Sequence, residues 1–369
     1  MIPVNQPLIS KNAKKYVLDC LKTGWVSSAG KYIDRFENKF AKFCQSKYGV
    51  SCTSGTAALH LALETLGICR EDEVIIPSLT MMATALAVYY TGAKPILIDS
   101  ESDTYNINPS LIEKKITSKT KAIIPVHLYG HPVNMDPILK IARKYKLKVV
   151  EDAAEIHGGK YKGKMAGSLG DIGCFSFYAN KIITTGEGGM IVTNSKKIFE
   201  KAKRLKNLSH SPKKRFLHNE IGFNYRMTNL QAALGLAQLE EVKKYLRIKR
   251  WLAGKYSQGL KNINGLILPQ EKNYAFNVYW MYTVLVNEKE FGLKTDELRR
   301  KLLKLGVDTR SFFIPIHKQP VFRKLGWYKN EKYPVAEKLT KTGFYLPSGL
   351  AISESQLNQV IKAFKTIKN

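Results

Sequence analysis

The sequence predicts an α/β fold: a mostly parallel sheet with helices on both faces, followed by a smaller unit. Short apolar runs recur at residues 73–77, 95–99, 122–127 and 148–151, each the length of a buried strand. Helix-like segments at residues 81–90, 109–116 and 137–146 lie between them, and strands alternating with helices in this way pair in parallel and need a covering on each face. The 369 residues suffice for one large domain and a second, smaller one. Ligands of such sheets collect at the carboxyl ends of the strands, so residues at those ends are the first to be read as chemistry.

Residues 8–23 place Val17, Leu18 and Leu21 at helical spacing and end at Gly24, which suits a helix with a C-terminal cap. Tyr32, Phe36, Phe40 and Phe43 then repeat every three or four residues, a second amphipathic helix whose aromatic stripe reads as core packing. From Tyr48 a short strand and a small-residue turn lead into a helix beginning near Thr56. Amides at a helix N-terminus attract an anion, and Ser54, Gly55 and Thr56 add hydroxyls and close backbone approach, although the same letters also make an ordinary helix cap. His60 falls on the apolar face of that helix and reads as a packed side chain.

The run KLKVVEDAAEIHGG brings a strand to its end at Glu151 and Asp152, with Glu155 shortly after. A carboxylate there faces the expected crevice, although an isolated one reads as a helix cap. Lys181 lies in the connection between apolar runs at residues 172–177 and 189–193. A lysine held out of water has a lowered pKa and becomes a nucleophile toward a carbonyl. Gly186, Gly188 and Gly189 beyond it let the backbone pass close to a ligand. By itself Lys181 reads as one more solvated lysine, and its pairing with a strand-end carboxylate is what makes it a candidate. Downstream, residues 228–260 read as a long helical stretch, 278–286 as a strand, and 295–305 and 354–367 as helices.

The net charge of +29 raises the question of a nucleic-acid surface or a phosphorylated substrate. The lysines are spread through nearly every expected helix and form no block or arm, which favours a generally basic surface and no nucleic-acid partner. Cys20, Cys44, Cys52, Cys69 and Cys174 are odd in number and lack paired ligand spacing, so neither a disulfide framework nor a metal site is expected. The N-terminus lacks the apolar core of a signal peptide, and the run near residues 81–90 is too short to span a bilayer, so a cytoplasmic protein with no membrane partner is expected.

The segments SGTAALHLAL, EDAAEIHG, GDIGCFSFYANKIITTGEGGM and GFNYRMTNLQAALGLAQLE, with weaker support from YWMY and TRSFFIPIH, follow in order over most of the chain. A chain that carries them resembles the sugar-nucleotide 4-aminotransferases of the DegT group, which are fold-type I pyridoxal-phosphate enzymes. The resemblance implies a mostly parallel seven-stranded sheet between helices in a large cofactor-binding domain, residues 1–245, and a smaller α+β domain, residues 246–369. The implied cofactor is pyridoxal 5'-phosphate, bound covalently by Lys181. Asp152 becomes the partner of its pyridine nitrogen, where an ionised carboxylate keeps that nitrogen protonated. Gly55, Thr56, Ser176 and Asn224 become phosphate contacts, with Asn224 reaching across from a neighbouring subunit of a homodimer; alone it reads as a turn residue.

Glu155 stands where the family carries a polar residue, often glutamine, near the cofactor's phenolic oxygen, so a shared proton is expected there. Met81 stands where the family usually carries an aromatic ring that stacks on the cofactor, and its thioether can pack against the same face. Arg226, Arg310 and His317 are expected near the sugar or its phosphates, with His157 and Tyr225 as weaker candidates; Arg226 reads equally as a surface ion-pair residue, and His317, a lone histidine beside a proline, equally as structural. A related branch with histidine in place of the lysine performs dehydration, so Lys181 favours transamination. The implied reaction moves an amino group from L-glutamate to carbon 4 of a nucleotide-linked 4-keto-6-deoxyhexose. VHLYGHP and EGGMIVTN stand nearest to members that aminate GDP-4-keto-6-deoxymannose for O-antigen polysaccharide. A UDP- or dTDP-linked sugar, or a non-catalytic cofactor-binding regulator, are the alternatives.

Overall fold

The computed structural model describes residues 1–211, 213–214 and 216–368. Its central sheet has seven strands, β1 (Tyr48–Cys52), β2 (Glu73–Pro77), β3 (Lys94–Ile98), β4 (Thr120–Ile123), β5 (Lys148–Asp152), β6 (Ile172–Ser176) and β7 (Gly189–Thr193). Across the sheet they run β1-β7-β6-β5-β4-β2-β3. Strand β7 is antiparallel to both of its neighbours, and the other pairs are parallel. All five residues of β6 and of β7 are buried, which is why these strands read as unbroken apolar runs without alternation.

Helices α1 (Lys11–Thr23), α2 (Lys31–Phe43), α3 (Gly55–Leu66), α4 (Met82–Tyr90), α5 (Met135–Tyr145), α6 (Lys196–Leu205) and α7 (Asn229–Glu240) accompany this sheet. Gly24 closes α1 in the left-handed conformation at φ 72°. Phe36 and Phe40 of α2 are fully buried, their rings 5.0 Å from those of Phe177 and Phe175. Residues 109–116 do not make the expected helix. Asn108 accepts the Ser110 N–H at 3.0 Å and starts a 3-10 turn at Pro109–Leu111; a second turn at Glu113–Lys115 ends where Ile116 turns extended toward β4. Two turns of this length cannot sustain a full α-helical ladder.

The long helical stretch is two helices, α7 and α8 (Val242–Leu260), which meet at Glu241, φ −96° and ψ 0°. Thr228 and Gln231 form a reciprocal capping box that starts α7. A four-stranded antiparallel sheet follows, ordered β8-β9-β11-β10 from β8 (Leu266–Ile267), β9 (Tyr282–Val286), β10 (Arg310–Ser311) and β11 (Gly343–Leu346), with helices α9 (Thr295–Lys304) and α10 (Glu354–Lys368). Helix α8 joins the two cores: Val242 and Tyr245 pack in the large one, Leu252, Ala253, Tyr256 and Leu260 in the small one. The boundary expected at 245/246 therefore falls inside a continuous helix. Ile2 also packs in the small core.

Candidate active site

The carboxyl ends of β1, β2, β5 and β6 frame a cleft of about 370 Å³, which Trp280, Phe313 and Tyr345 close from the C-terminal part of the chain. A larger hollow of about 790 Å³, bordered by residues 285–289 and 334–335, shares no lining residue with it. The cleft brings together Gly55, Thr56, Met81, Asp152, Glu155, Ser176 and Lys181.

At one end of the cleft, α3 begins. Ser54 Oγ accepts the Ala57 N–H at 3.1 Å and the Ser54 carbonyl accepts the Ala58 N–H at 3.0 Å, while the amides of Gly55 and Thr56 precede the first intrahelical acceptor. A Cβ on Gly55 would lie 2.7 Å from the Ser176 Cβ, so glycine lets the helix start flush against the end of β6. The glycines after Lys181 serve the chain's own packing more than a ligand. A Cβ on Gly189 would meet the Ser54 carbonyl oxygen at 2.2 Å, and Gly186 makes a left-handed turn at φ 81° in open space.

Asp152 ends β5 and is buried. Its Oδ2 accepts the Thr84 hydroxyl at 2.8 Å, and its Oδ1 accepts the Ala154 N–H at 3.2 Å. Thr84 in turn lies 3.1 Å, oxygen to oxygen, from the Thr80 hydroxyl. Burial pushes the Asp152 carboxyl up despite these bonds. A cation beside it restores the ionised form, and a protonated ring nitrogen is such a cation. Glu151, its neighbour, faces the other way. It is fully buried and accepts the amides of Gly167, Leu169 and Gly170 at 2.8, 2.6 and 2.7 Å, with His127 Nε2 at 3.0 Å. It holds a loop and does not enter the crevice.

The Lys181 Nζ lies 3.6 Å from Glu155 Oε1 and 3.7 Å from the centre of the Trp280 ring. Burial pushes this amine below the usual lysine range, opposed by the carboxylates of Glu155 and Asp152. Glu155 accepts the Tyr129 N–H on Oε2 at 2.8 Å, and burial raises its carboxyl to about 7. Tyr129 adopts a left-handed φ of 53°. A Cβ on the following Gly130, at φ 100°, would lie 2.6 Å from the Trp280 nitrogen, so the turn rests directly on the backbone that carries the indole. Met81 precedes α4 and is 50% exposed at the cleft, open to a ligand's face.

Six expected substrate or phosphate residues, His157 and Tyr225 among them, do not line this cleft. Arg226 Nε donates to Asn224 Oδ1 at 2.8 Å and Nη1 to Asn207 Oδ1 at 3.3 Å, and Asn224 is exposed. Arg310 is exposed on β10 and pairs with Asp308 at 2.8 Å. His317 is buried with both nitrogens engaged, Nδ1 with Ser78 Oγ at 2.8 Å and Nε2 with Glu337 Oε1 at 2.9 Å, so within this chain it packs and reaches no ligand space. His157 accepts the Ile183 N–H on Nδ1 at 3.2 Å and stacks on Phe175, and burial lowers it to about 3. Tyr225 bonds His60 Nδ1 at 3.0 Å. Thr84, Tyr129 and Trp280 were not singled out by sequence reasoning, although YWMY and VHLYGHP contain two of them.

Among the described residues no group of three or more His, Cys, Asp or Glu is arranged to hold a metal ion, and no helix is long and apolar enough to cross a membrane. The five cysteines are free, and only Cys69 is exposed.

Placed at the strand ends of a mostly parallel seven-stranded sheet, a desolvated lysine opposite a buried aspartate is the arrangement of a fold-type I aminotransferase, whose cofactor is pyridoxal 5'-phosphate. The chain belongs to the DegT/DnrJ/EryC1/StrS aminotransferase family, whose pattern matches residues 7–365, and it is a sugar aminotransferase. It is 45% identical over 357 residues to the GDP-perosamine synthase of Escherichia coli O157:H7, covering 96% of this chain and 95% of that one. It is 44% identical over 369 residues to the GDP-perosamine synthase of Caulobacter vibrioides, covering 99% and 98%. The crystal structure of DesV from S. venezuelae superposes with a TM-score of 0.90 at 33% identity, over 97% of this chain and 94% of that one.

Proposed function

We propose that the protein transfers the amino group of L-glutamate to carbon 4 of GDP-4-keto-6-deoxymannose, giving GDP-perosamine. The observation that carries this reading is Lys181, held out of water between Glu155 and Trp280, opposite a strand-end aspartate. The sugar is taken from the two full-length relatives that bear the name GDP-perosamine synthase. A net charge of +29 also favours capture of a dianionic sugar diphosphate.

When bound, pyridoxal 5'-phosphate supplies the carbonyl that takes the amino group and the electron sink that stabilises the substrate carbanion. The chain holds it in place. Amides of Gly55 and Thr56 with the Ser176 hydroxyl would hold the phosphate, Asp152 would keep the ring nitrogen protonated, and Met81 would pack on the ring. Thr84 fixes the carboxylate that does this. The Lys181 Nζ would carry the proton of the exchange, and burial, which lowers its pKa, favours the neutral amine that accepts it. Glu155 sits within reach to share that proton and with it the charge on the phenolic oxygen.

A homodimer completes the site in this reading. Asn224 and Arg226 lie outside their own cleft, in a segment where Ile221 is 88% exposed, and Trp25 is 58% exposed. Such apolar surface suits an interface that carries Asn224 to a partner's phosphate and Arg226 toward its sugar nucleotide. The test is to incubate the protein with cofactor, L-glutamate and 4-keto-6-deoxy sugars linked to GDP, UDP and dTDP. Product is expected from the GDP sugar and none from Lys181→Ala. Amination of only a UDP- or dTDP-linked sugar would replace the proposed substrate, and no amination of any sugar would remove the reading.

A further inference from the structure

A second buried lysine lies behind the first. Lys249, on α8, is 1% exposed, and its Nζ donates to the backbone carbonyl of Trp280 at 2.6 Å and to that of Ser348. Burial alone pushes its amine down to about 7. A group that costly to bury is retained where its hydrogen bonds fix a geometry. The same Trp280 is held at its other end, where the indole Nε1 donates to the Asn180 carbonyl at 2.8 Å, one residue before Lys181. Its ring face lies 3.7 Å from the Lys181 Nζ, and the Tyr129 ring stacks on it at 6.4 Å and 10°.

We propose that Lys249 is a positioning residue for the reactive amine: it pins the carbonyl of Trp280, and the indole so fixed walls Lys181 off from water. This rests on Lys181 being the reactive amine. Two effects of the indole on that amine oppose each other. A cation over an aromatic face gains about 0.5–2 kcal/mol, which favours the ammonium, whereas full desolvation shifts a lysine by up to about 3–5 pKa units toward the neutral amine. Desolvation is the larger, so the wall acts chiefly to keep Lys181 unprotonated. The charged groups that face Lys181 are Glu155 and Asp152, with His157 held neutral nearby, and none of them touches Lys249.

The test reads the proton on Lys181 directly, in the full-length chain without cofactor. Competitive acetylation across pH, quantified at the Lys181 peptide by mass spectrometry, gives the midpoint at which the amine becomes reactive. Lys249→Met and Trp280→Leu are each expected to raise that midpoint by about one pH unit, an approximately tenfold loss of reactive amine below it. Lys249→Arg, which retains the donors, is expected to move it less than Lys249→Met. The control is Tyr256→Phe, on the same helix, which removes a buried bond to the Pro347 carbonyl at 2.8 Å without touching Trp280, and it should leave the midpoint unchanged. A Lys249→Met midpoint equal to that of Tyr256→Phe overturns the proposal. So does an unmoved midpoint in Trp280→Leu, which decides the matter even if Lys249→Met does not fold. Because no sugar is present, an error in the proposed substrate leaves these outcomes intact.

Discussion

Replacing Glu155 by glutamine should make the cofactor-free protein relatively more stable as pH rises. Burial holds the Glu155 carboxyl at about 7 against an ordinary 4.5, a difference worth about 3 kcal/mol. A carboxyl raised in the folded state binds its proton more tightly there than in the unfolded chain. Its contribution is therefore greatest below pH 4.5 and is lost as pH rises through 7. Glutamine carries no such titration and can still accept the Tyr129 N–H, now 2.8 Å from Oε2. The attraction of the Lys181 amine 3.6 Å away is already contained in the Glu155 value, and losing the carboxylate lowers the Lys181 pKa further, which makes the variant gain stability with rising pH in the same direction. The relative gain of Glu155→Gln over wild type between pH 5 and pH 8 should thus be about 2–3 kcal/mol. Urea unfolding of both proteins at the two pH values measures it. A stability difference that is the same at pH 5 and pH 8 refutes the assignment of a buried, titrating carboxyl to this position.

Acid lability should come from His157 and His131, which burial lowers to about 3 and about 4 from 6.5. Both stay neutral in the fold while the unfolded chain takes up protons, so stability falls as pH drops below 6.5, and His157→Gln should make that slope shallower in pH-dependent unfolding. Lys206 donates to Glu37 at 2.7 Å and to the Ser51 carbonyl at 2.8 Å in a buried setting, so Lys206→Met should cost about 3–5 kcal/mol by leaving the carboxylate unpaired; urea unfolding measures it. Gly55→Ala places a methyl 2.7 Å from the Ser176 Cβ and should weaken cofactor binding at least about tenfold, about 1.4 kcal/mol, in an absorbance titration of the cofactor-free chain.

The strands that were legible are those buried on both faces. β2 and β7 coincide with apolar runs read at residues 73–77 and 189–193, because a parallel sheet between helices leaves its central strands no polar face. Short elements were not legible. β10 has two residues, too few for any period, and the helix Pro334–Thr342 is set by the Asp99 carboxylate, which accepts the Val335 and Ala336 amides at 3.0 and 2.8 Å from far along the chain. Helix α6 passed unread although Ser195 caps it, with its oxygen accepting the Ile198 N–H.

The site divides the same way. Lys181 and Asp152 stand out because each ends or follows an apolar run, a local pattern. Trp280 meets Lys181 across 99 residues and Thr84 meets Asp152 across 68, and no local pattern records such pairings. His317 was ambiguous for the converse reason. A histidine next to a proline-flanked turn resembles a ligand, and only the fold reveals Ser78 and Glu337 on its two nitrogens.

The two neighbouring acids at the end of β5 have a further consequence. Glu151 and Asp152 are both buried and, as consecutive strand residues, face opposite sides of the sheet: one grips the amides of residues 167–170, the other enters the cleft. A slip of one residue in β5 would put Glu151 in the cleft and Val150 against the loop, or Asp152 against the loop and Ala153 in the cleft, so either way one of the two places loses its carboxylate. The anchored loop leads directly into β6, whose last residue, Ser176, lines the cleft beside the start of α3. One register alone gives a carboxylate to both the loop and the cleft, so the same pairing that fastens the loop sets the aspartate in the cleft.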